Sequence, residues 1–247
     1  MREPVLRRRR QDQRVSVVMP AFNEEEGIGR VVSEFLEHPA VKEVVVADNN
    51  STDRTAEVAT SAGARVVKES RQGFGYACRR ALSEGQGPYL VLVEPDRTFL
   101  PRDLDKFLAY AEDFDLVIGT RTTNSMIWEG ANMGHFLKWG NWCVAKLLQL
   151  LFGGPSLSDV GCTYRFIHRS LFEKIEPLMR VGASHFLPEL TILCLRARAR
   201  VIEISVNYLK RRGTSKITGS FHGTVVTGLR MIALILRKRF QGRGNAT

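Results

Sequence analysis

The chain has 247 residues, 44% of them hydrophobic and 25% charged, so it is long enough to bury a core and has an ordinary globular composition. Its formal net charge of +10 indicates an anionic partner: a nucleic acid, an anionic membrane surface or a phosphorylated substrate. No run reaches the ~18 consecutive apolar residues of a membrane-spanning helix, which argues against such a span.

The cysteines are widely spaced and include no C-x-x-C pair, which argues against a zinc site or a disulfide framework and favours a reduced, cytosolic setting. The N-terminus is basic but lacks the apolar core of a signal peptide, so nothing predicts export. We interpret residues 1–14, with Arg7 to Arg10, as a flexible arm. It either aids solubility or is attracted to anionic lipid, by ~1 kcal/mol per basic residue near the surface.

The first half of the chain alternates strands with helices. Strands are predicted at residues 15–20, 41–47, 64–68 and 89–93. Polar or glycine-containing segments follow the first three, at residues 21–26, 48–53 and 73–77. This alternation predicts a parallel, doubly wound sheet with its ligand site where the strands end. The G-x-G-x-x-G fingerprint is missing after the first strand, which disfavours an NAD-binding enzyme.

The fourth strand ends in Glu94-Pro95-Asp96. Two carboxylates at the end of a central strand could hold a divalent metal and, through it, a diphosphate, because Mg²⁺ is typically bound by one or two carboxylates plus substrate phosphates. A solvated loop in which Asp96 only starts a turn is the alternative that these three residues leave open.

The second half is less regular. A helix and a strand are predicted at residues 103–111 and 116–119, followed by an amphipathic helix at 136–152, a polar loop at 158–165, a helix at 187–195, a strand at 201–208 and a final helix at 225–240. The final helix ends in Arg237-Lys238-Arg239 and has a broad apolar face formed by Val225, Val226, Leu229, Ile232, Ala233, Leu236 and Phe240. Such a helix can lie in a membrane interface, close the core of its own protein or form a dimer, and basic segments at both ends of the chain favour the membrane.

These motifs, in this order and spacing, resemble family-2 glycosyltransferases of the GT-A fold, closest in pattern to dolichyl- and polyprenyl-phosphate mannosyl- or glucosyltransferases. The resemblance covers residues 15–219. Its motifs are P-x-Y/F-N-E at Pro20 to Glu24, D-D-x-S-x-D at 48–53, G-x-x-x-A at 73–77, D-x-D at 94–96, D-x-x-x-G-F/Y-R at 159–165 and R-x-G-x-S-K at 211–216. Asn49 replaces the second aspartate of its motif, and Glu94 replaces the first acid of D-x-D.

The resemblance implies an inverting transfer of a sugar from a UDP- or GDP-sugar, with Mg²⁺ or Mn²⁺ as cofactor. It assigns metal binding to Asp96 and, less directly, Glu94, and it assigns the diphosphate to Arg211 or Lys210. Residues implied to bind the nucleotide-sugar are Pro20, Phe22, Glu24, Asp48, Asn50, Gly73, Glu94, Lys210 and Lys216. Asp159 is either a general base for a hydroxyl acceptor or, with a lipid phosphate, a hydrogen-bonding support for its loop.

Two glycosyltransferase hypotheses follow. In the first, a peripheral enzyme at the cytosolic face of the membrane transfers a sugar to polyprenyl phosphate; in the second, a soluble enzyme glycosylates the hydroxyl of a small molecule or glycan. A nucleic-acid-binding protein is disfavoured, because no recognised binding motif is present and the strand-end acids would repel phosphates. We expect a basic arm (1–14), two halves of one GT-A domain (15–119 and 120–219) and an amphipathic basic C-terminal segment (220–247). A homo-oligomer is a further alternative that the sequence leaves open.

Overall fold

The computed structural model of the protein describes residues 15–131, 134–211 and 221–241. The predicted basic arm lies outside these residues, as do Lys216 and the other residues of the R-x-G-x-S-K motif after Arg211. Among the helices in the described ranges, none is both long and apolar enough to cross a membrane.

The first half of the chain forms the predicted alternation of strands and helices. In chain order the elements are β1 Val15–Ala21, α1 Ile28–Leu36, β2 Val41–Asp48, α2 Thr55–Ser61, β3 Arg65–Lys68, α3 Phe74–Glu84 and β4 Tyr89–Leu92. The second half continues with a 3-10 turn Pro101–Asp103, α4 Leu104–Tyr110, β5 Leu116–Thr120, a 3-10 turn Asn124–Met126, α5 His135–Phe152, β6 Arg165–His168, α6 Arg169–Ile175, a 3-10 turn Glu176–Leu178, α7 Phe186–Arg196, β7 Val201–Ser205 and α8 Phe221–Phe240.

Within the described residues the strands form one seven-stranded sheet in the order β3-β2-β1-β4-β6-β5-β7. Neighbouring strands are parallel except at β6, which runs antiparallel to both β4 and β5. The predicted mostly parallel sheet, flanked by helices and followed by a C-terminal helix, is therefore confirmed.

The sheet has an apolar layer on each face, because successive side chains of a strand point to opposite sides. On one face, Val17 and Met19 of β1 pack with α1 and α4. On the other, Val18 of β1 packs with α3, α5, α7 and α8. The two layers cover both faces of the central strands, which explains why these strands read as continuous apolar runs.

The chain order of the strands reverses between β1 and β4. From β1 the chain moves outward to β2 and β3 and then returns to β4 on the other side of β1. In open α/β sheets, ligands bind in the crevice that such a reversal opens beyond the carboxyl ends of the strands. This crevice contains the loop that starts at Ala21 and the acidic segment 94–96.

The C-terminal helix buries apolar residues that lie outside the apolar face indicated by its sequence. Buried contacts come from Met231, Leu234 and Ile235, whereas Leu229 and Phe240 of the predicted apolar face are 60% and 83% exposed. Helix α8 therefore closes the core of its own protein with one face and leaves an apolar stripe uncovered within the described structure. It also begins one turn earlier than predicted, at Phe221.

Candidate functional site

The loop after β1 is held against the loop after β2 by side chain to backbone hydrogen bonds. Asn23 has a left-handed φ of 53°. Its backbone N–H donates to Ser51 Oγ (3.0 Å), and its Oδ1 accepts from the Thr52 N–H (2.8 Å). The Glu24 N–H donates to Thr55 Oγ1 at 2.7 Å. These bonds fix the backbone on which Glu24 enters the crevice.

Asn49, which replaces an acid of the family motif, is a buried anchor for the loop after β3. Its Nδ2 donates to the carbonyls of Glu69 (3.0 Å) and Arg71 (2.8 Å), and its Oδ1 accepts from the Gly73 N–H (2.8 Å). An ionised aspartate has no proton to donate to these carbonyls. The amide is therefore the side chain that this loop requires.

The glycines of the turn at 73–77 meet protein backbone and not open space. A Cβ on Gly73, whose φ is 150°, would lie 2.3 Å from the Gly182 carbonyl oxygen, and one on Gly75 would lie 2.5 Å from that of Val181. The Gly75 N–H donates to the Gly182 carbonyl at 2.9 Å. The close approach that the glycines allow is thus to segment 181–182.

Three carboxylates surround the guanidinium of Arg211. Its Nη2 lies 2.7 Å from Glu24 Oε1, and its Nη1 lies 3.2 Å from Asp96 Oδ2 and 3.7 Å from Glu94 Oε2. Asp96 also accepts from the N–H (3.1 Å) and hydroxyl (2.6 Å) of Thr98, and Glu94 accepts from the Thr163 hydroxyl. The predicted acids and the predicted arginine therefore meet in one cluster.

Burial and like charge perturb this cluster. Desolvation raises the pKa of Glu94, the charge of Asp96 raises it further, and the hydrogen bond from Thr163 offsets part of the rise. Burial alone would lower the pKa of Arg211, but the charges of Asp96, Glu24 and Glu94 outweigh it and raise that pKa. In this cluster, burial and mutual repulsion make it unfavourable to ionise both acids, whereas the surrounding carboxylates stabilise the charged guanidinium of Arg211.

Asp159 forms a buried ion pair with Arg121, the residue that follows β5. Its side chain is fully buried, and its two carboxylate oxygens accept from Arg121 Nε (2.7 Å) and Nη2 (2.9 Å). Burial would raise the pKa of Asp159, but the charge and hydrogen bonds of Arg121 lower it. With both oxygens engaged, Asp159 fixes the position of Arg121. The Arg121 side chain lines the crevice, and its guanidinium carbon lies 5.3 Å from the centre of the Tyr208 ring.

A continuous cleft of about 500 Å³ connects this cluster to the space between α5 and α8. Its polar end contains Glu24, Glu94, Asp96, Arg121 and Arg211. Its other end is formed mainly by apolar and small residues of the two helices, Leu137, Trp139, Gly140, Cys143, Val144, Val225, Gly228, Leu229, Met231 and Ile232.

The structure brings six of the predicted residues together in this cleft: Pro20, Phe22, Glu24, Glu94, Asp96 and Arg211. Asp48, Asn50, Gly73 and Asp159 do not line it. Lys210 is exposed and borders a separate depression with Trp128 and Glu129. Our sequence reasoning missed Arg121, although its position directly after a strand is the same signal that selected Glu94 and Asp96.

The acid pair fits a metal that binds together with a ligand. In the described parts of the chain, no group of three or more His, Cys, Asp or Glu side chains could hold a metal ion alone. Magnesium commonly takes one or two carboxylates and completes its shell with phosphate oxygens and water. Glu94 and Asp96, each oriented by a threonine hydroxyl, provide such a pair.

Comparison with known proteins gives a consistent family. The family model "Glycosyl transferase family 2" matches residues 16–176. A dolichyl-phosphate hexose transferase of Haloferax volcanii is 30% identical over 228 residues, which cover 92% of this chain and 96% of the relative. An uncharacterized glycosyltransferase of Mycobacterium tuberculosis is 32% identical over 227 residues, 86% of this chain and 93% of the relative.

Solved structures show the same fold. Glucosyl-3-phosphoglycerate synthase from Mycobacterium tuberculosis, crystallised with Mn²⁺, UDP and glucosyl-3-phosphoglycerate, superposes with a TM-score of 0.71 at 21% identity. The match covers 92% of this chain and 80% of that one. The same enzyme has also been crystallised with Mg²⁺ and UDP, and it matches this chain with a TM-score of 0.70.

Proposed function

The chain belongs to glycosyl transferase family 2 and is a glycosyltransferase, and we propose that it transfers a sugar from a UDP- or GDP-sugar to a polyprenyl or dolichyl phosphate, with inversion at the anomeric carbon. The observation that carries the proposal is the cleft that joins the acid cluster to an apolar passage between α5 and α8. A phosphate on a long hydrocarbon chain has the same two parts, one polar and one apolar. The dolichyl-phosphate hexose transferase among the relatives supports the same acceptor class.

On the donor side, we assign the base and ribose to the wall of the cleft formed by Pro20, Phe22 and Glu24. Asp48, at the end of β2, belongs to the same assignment. A divalent cation on Glu94 and Asp96 would neutralise charge on the departing diphosphate. Arg211 would donate to the diphosphate. Within the described residues its buried Nε has no hydrogen-bond acceptor, so it retains a donor for a phosphate oxygen.

On the acceptor side, we assign the phosphate to Arg121, which Asp159 holds at the rim of the cleft. An oxygen of the acceptor phosphate attacks the anomeric carbon, and the bond from that carbon to the nucleoside diphosphate breaks with its electron pair leaving on the diphosphate. The attacking oxygen is already anionic, so no proton has to be removed and no general base is needed. Asp159 therefore has a positioning role in this proposal. Its ion pair with Arg121 argues against a role as general base for a hydroxyl acceptor.

The outer surfaces of α5 and α8 suit a lipid surface. Leu150 on α5 and Phe240 on α8 are 81% and 83% exposed and lie outside the cleft. Exposed Arg237 and Arg239 stand beside them at the end of α8. Apolar side chains flanked by cations are typical of helices that lie in a membrane interface. Peripheral association with a cytosolic membrane face is therefore part of the proposal, whereas a homo-oligomer stays a prediction.

Vesicles of anionic phospholipid that contain polyprenyl phosphate, incubated with UDP- or GDP-sugars and Mn²⁺, test the proposal. We expect a lipid-linked sugar phosphate, seen by extraction and mass spectrometry, with equimolar nucleoside diphosphate release. Nucleotide release that depends on a water-soluble hydroxyl acceptor, with no lipid product, would overturn it.

A pair of variants tests the membrane part. Leu150→Ser on α5 should reduce vesicle binding in flotation by roughly tenfold, because Leu150 is exposed outside the cleft and burying a large apolar side chain contributes about 1.5–3 kcal/mol. Leu178→Ser is the matched control, since Leu178 is 54% exposed but lies in the 3-10 turn Glu176–Leu178. Equal loss of binding in both variants would remove α5 from the contact surface.

A further inference from the structure

The guanidinium of Arg211 lies between three carboxylates, whose negative charges it offsets. Its Nη1 faces both acids of the 94–96 segment, at 3.2 Å from Asp96 Oδ2 and 3.7 Å from Glu94 Oε2. Its Nη2 is held at 2.7 Å by Glu24, which comes from the loop after a different strand. A planar guanidinium can serve several carboxylates at once, which a point charge such as an ammonium cannot.

The oxygens that face Arg211 belong to the same carboxylates that fit a divalent cation. A guanidinium and a divalent cation repel each other, and the repulsion is strong where water is largely excluded. The Arg211 side chain is only 19% exposed and that of Asp96 only 5%, so solvent screens this repulsion poorly. Both cations therefore cannot pair fully with Glu94 and Asp96 together.

We infer that Arg211 is a resident cation of the donor site, which competes with the divalent cation for Glu94 and Asp96 and gives way only when a diphosphate offers the guanidinium a new partner. The inference rests on the donor site of the proposed function. It means that metal alone binds weakly and that metal and nucleotide bind cooperatively. Arg211 then has two successive partners, first the carboxylates and afterwards the diphosphate.

The unpartnered Nε supports the second arrangement. Within the described structure this buried N–H lacks an acceptor while both Nη groups are paired with carboxylates. Buried donors are normally satisfied, and each exception calls for an explanation. A diphosphate oxygen would supply the missing acceptor. Contacts with the bound nucleotide would thus replace the carboxylate contacts that Arg211 loses when the metal binds.

The test measures Mn²⁺ binding without nucleotide, by the electron paramagnetic resonance signal of free Mn²⁺, and UDP binding with Mn²⁺, by calorimetry. Arg211→Gln should bind Mn²⁺ alone at least about tenfold more tightly than the wild type and should bind UDP with Mn²⁺ more weakly. Arg169→Gln, which removes the same charge from an exposed arginine of α6 that does not line the cleft, should change the Mn²⁺ affinity by no more than about twofold.

Opposite signs in the two measurements distinguish competition from simpler roles. If Arg211→Gln binds Mn²⁺ alone no more tightly than the wild type, the inference is overturned, whereas the donor site stands if UDP still binds with Mn²⁺. If the wild type binds neither UDP nor GDP in the presence of Mn²⁺, the proposed function itself fails.

Arg211→Met carries the test should the glutamine variant not fold, because it also removes the charge and keeps a long, unbranched side chain that adapts to the space left by arginine. Its Mn²⁺ affinity should be higher than that of the wild type. An unchanged affinity would overturn the inference.

Discussion

The wall of the cleft at the ends of β1 and β2 is held by hydrogen bonds, whereas the wall formed by α5 and α8 is held by apolar packing. In the first wall, Asn49 and Asn23 each bond to backbone groups of neighbouring loops. In the second, Val144 and Leu148 of α5 and Ile235 of α8 are buried in one apolar layer. Hydrogen bonds require particular atoms at particular positions, and apolar packing requires only volume and shape.

This difference separates what each wall can do. The hydrogen-bonded wall can present a fixed set of polar atoms, which suits recognition of a nucleotide-sugar. The apolar wall also exposes Leu150 and Phe240 outside the cleft, so it can accept a hydrocarbon chain on one side and a lipid surface on the other. Substitutions on the two walls should therefore fail in different ways.

The largest expected effect comes from Asp96→Asn at the polar end of the cleft. Loss of a metal ligand should reduce sugar transfer on the order of 10³-fold, because charge on the leaving diphosphate is no longer neutralised. Slow donor hydrolysis without acceptor should fall with it. Arg121→Gln on the acceptor side should lose transfer and keep hydrolysis. Equal losses of both activities in Arg121→Gln would erase the division between donor and acceptor walls.

Much of the hydrogen-bonded wall could be predicted from sequence, because polar residues directly after parallel strands must meet at one edge of the sheet. Glu94 and Asp96 were found by that rule, and Glu24 was assigned by the resemblance to the family. The pairing of Glu24 with Arg211 was not predicted, since Arg211 follows 187 residues later and no local pattern relates the two. The antiparallel direction of β6, a strand of four residues, likewise has no signal in its own sequence.

The apolar wall was harder to predict for a physical reason. Helix α8 carries apolar residues around more than one face, so helical periodicity does not identify the face that packs. We placed Leu229 and Phe240 on the apolar face and left the membrane, the core or a dimer as its partner; the structure leaves these two side chains exposed and buries Met231 and Ile235. The glycine turn was also misleading: glycine indicates a close approach, but the sequence does not say that Gly182 is the group that approaches Gly73.

The second largest effect should be on stability, in Asp159→Asn. Removing one partner of a buried pair leaves Arg121 uncompensated and should lower the free energy of unfolding by roughly 3 kcal/mol, measured by urea denaturation. Because the pKa of Asp159 is lowered in the folded protein, the pair stabilises above the ordinary value of 3.8 and its contribution is lost as pH falls through the folded pKa. The difference between wild type and variant should therefore shrink at acid pH.

The control for this variant is the exposed ion pair of Arg169 and Glu173 at 2.8 Å. Glu173→Gln should change the free energy of unfolding by less than about 0.5 kcal/mol, since exposed pairs contribute little. A comparable loss in both variants would mean that burial does not set the strength of these pairs.

A smaller effect is expected when Asn49 is replaced by the family's aspartate. Asn49→Asp loses the two hydrogen bonds to the carbonyls of Glu69 and Arg71 and should cost about 2 kcal/mol of unfolding free energy, together with weaker UDP binding. Asn50→Asp is the matched control, because the hydrogen bond that the Asn50 side-chain amide donates to the Ser70 carbonyl is exposed to solvent. Stabilisation by Asn49→Asp would show that the family's charge, and not the amide, is what this loop needs.

The smallest perturbation uses a thiol that is already present. Cys143 on α5 lines the cleft and is partly exposed, whereas Cys78, Cys162 and Cys194 are buried. Burial raises the pKa of Cys162 and Cys194 to about 12 and also raises that of Cys78 well above its ordinary value, so these thiols should not react with maleimide in the folded protein. We expect one equivalent of label at Cys143, with a labelling rate several-fold lower in the presence of polyprenyl phosphate and little changed by UDP with Mn²⁺. Protection by UDP and not by the lipid would assign the α5 wall to the donor and reverse the comparison of the two walls.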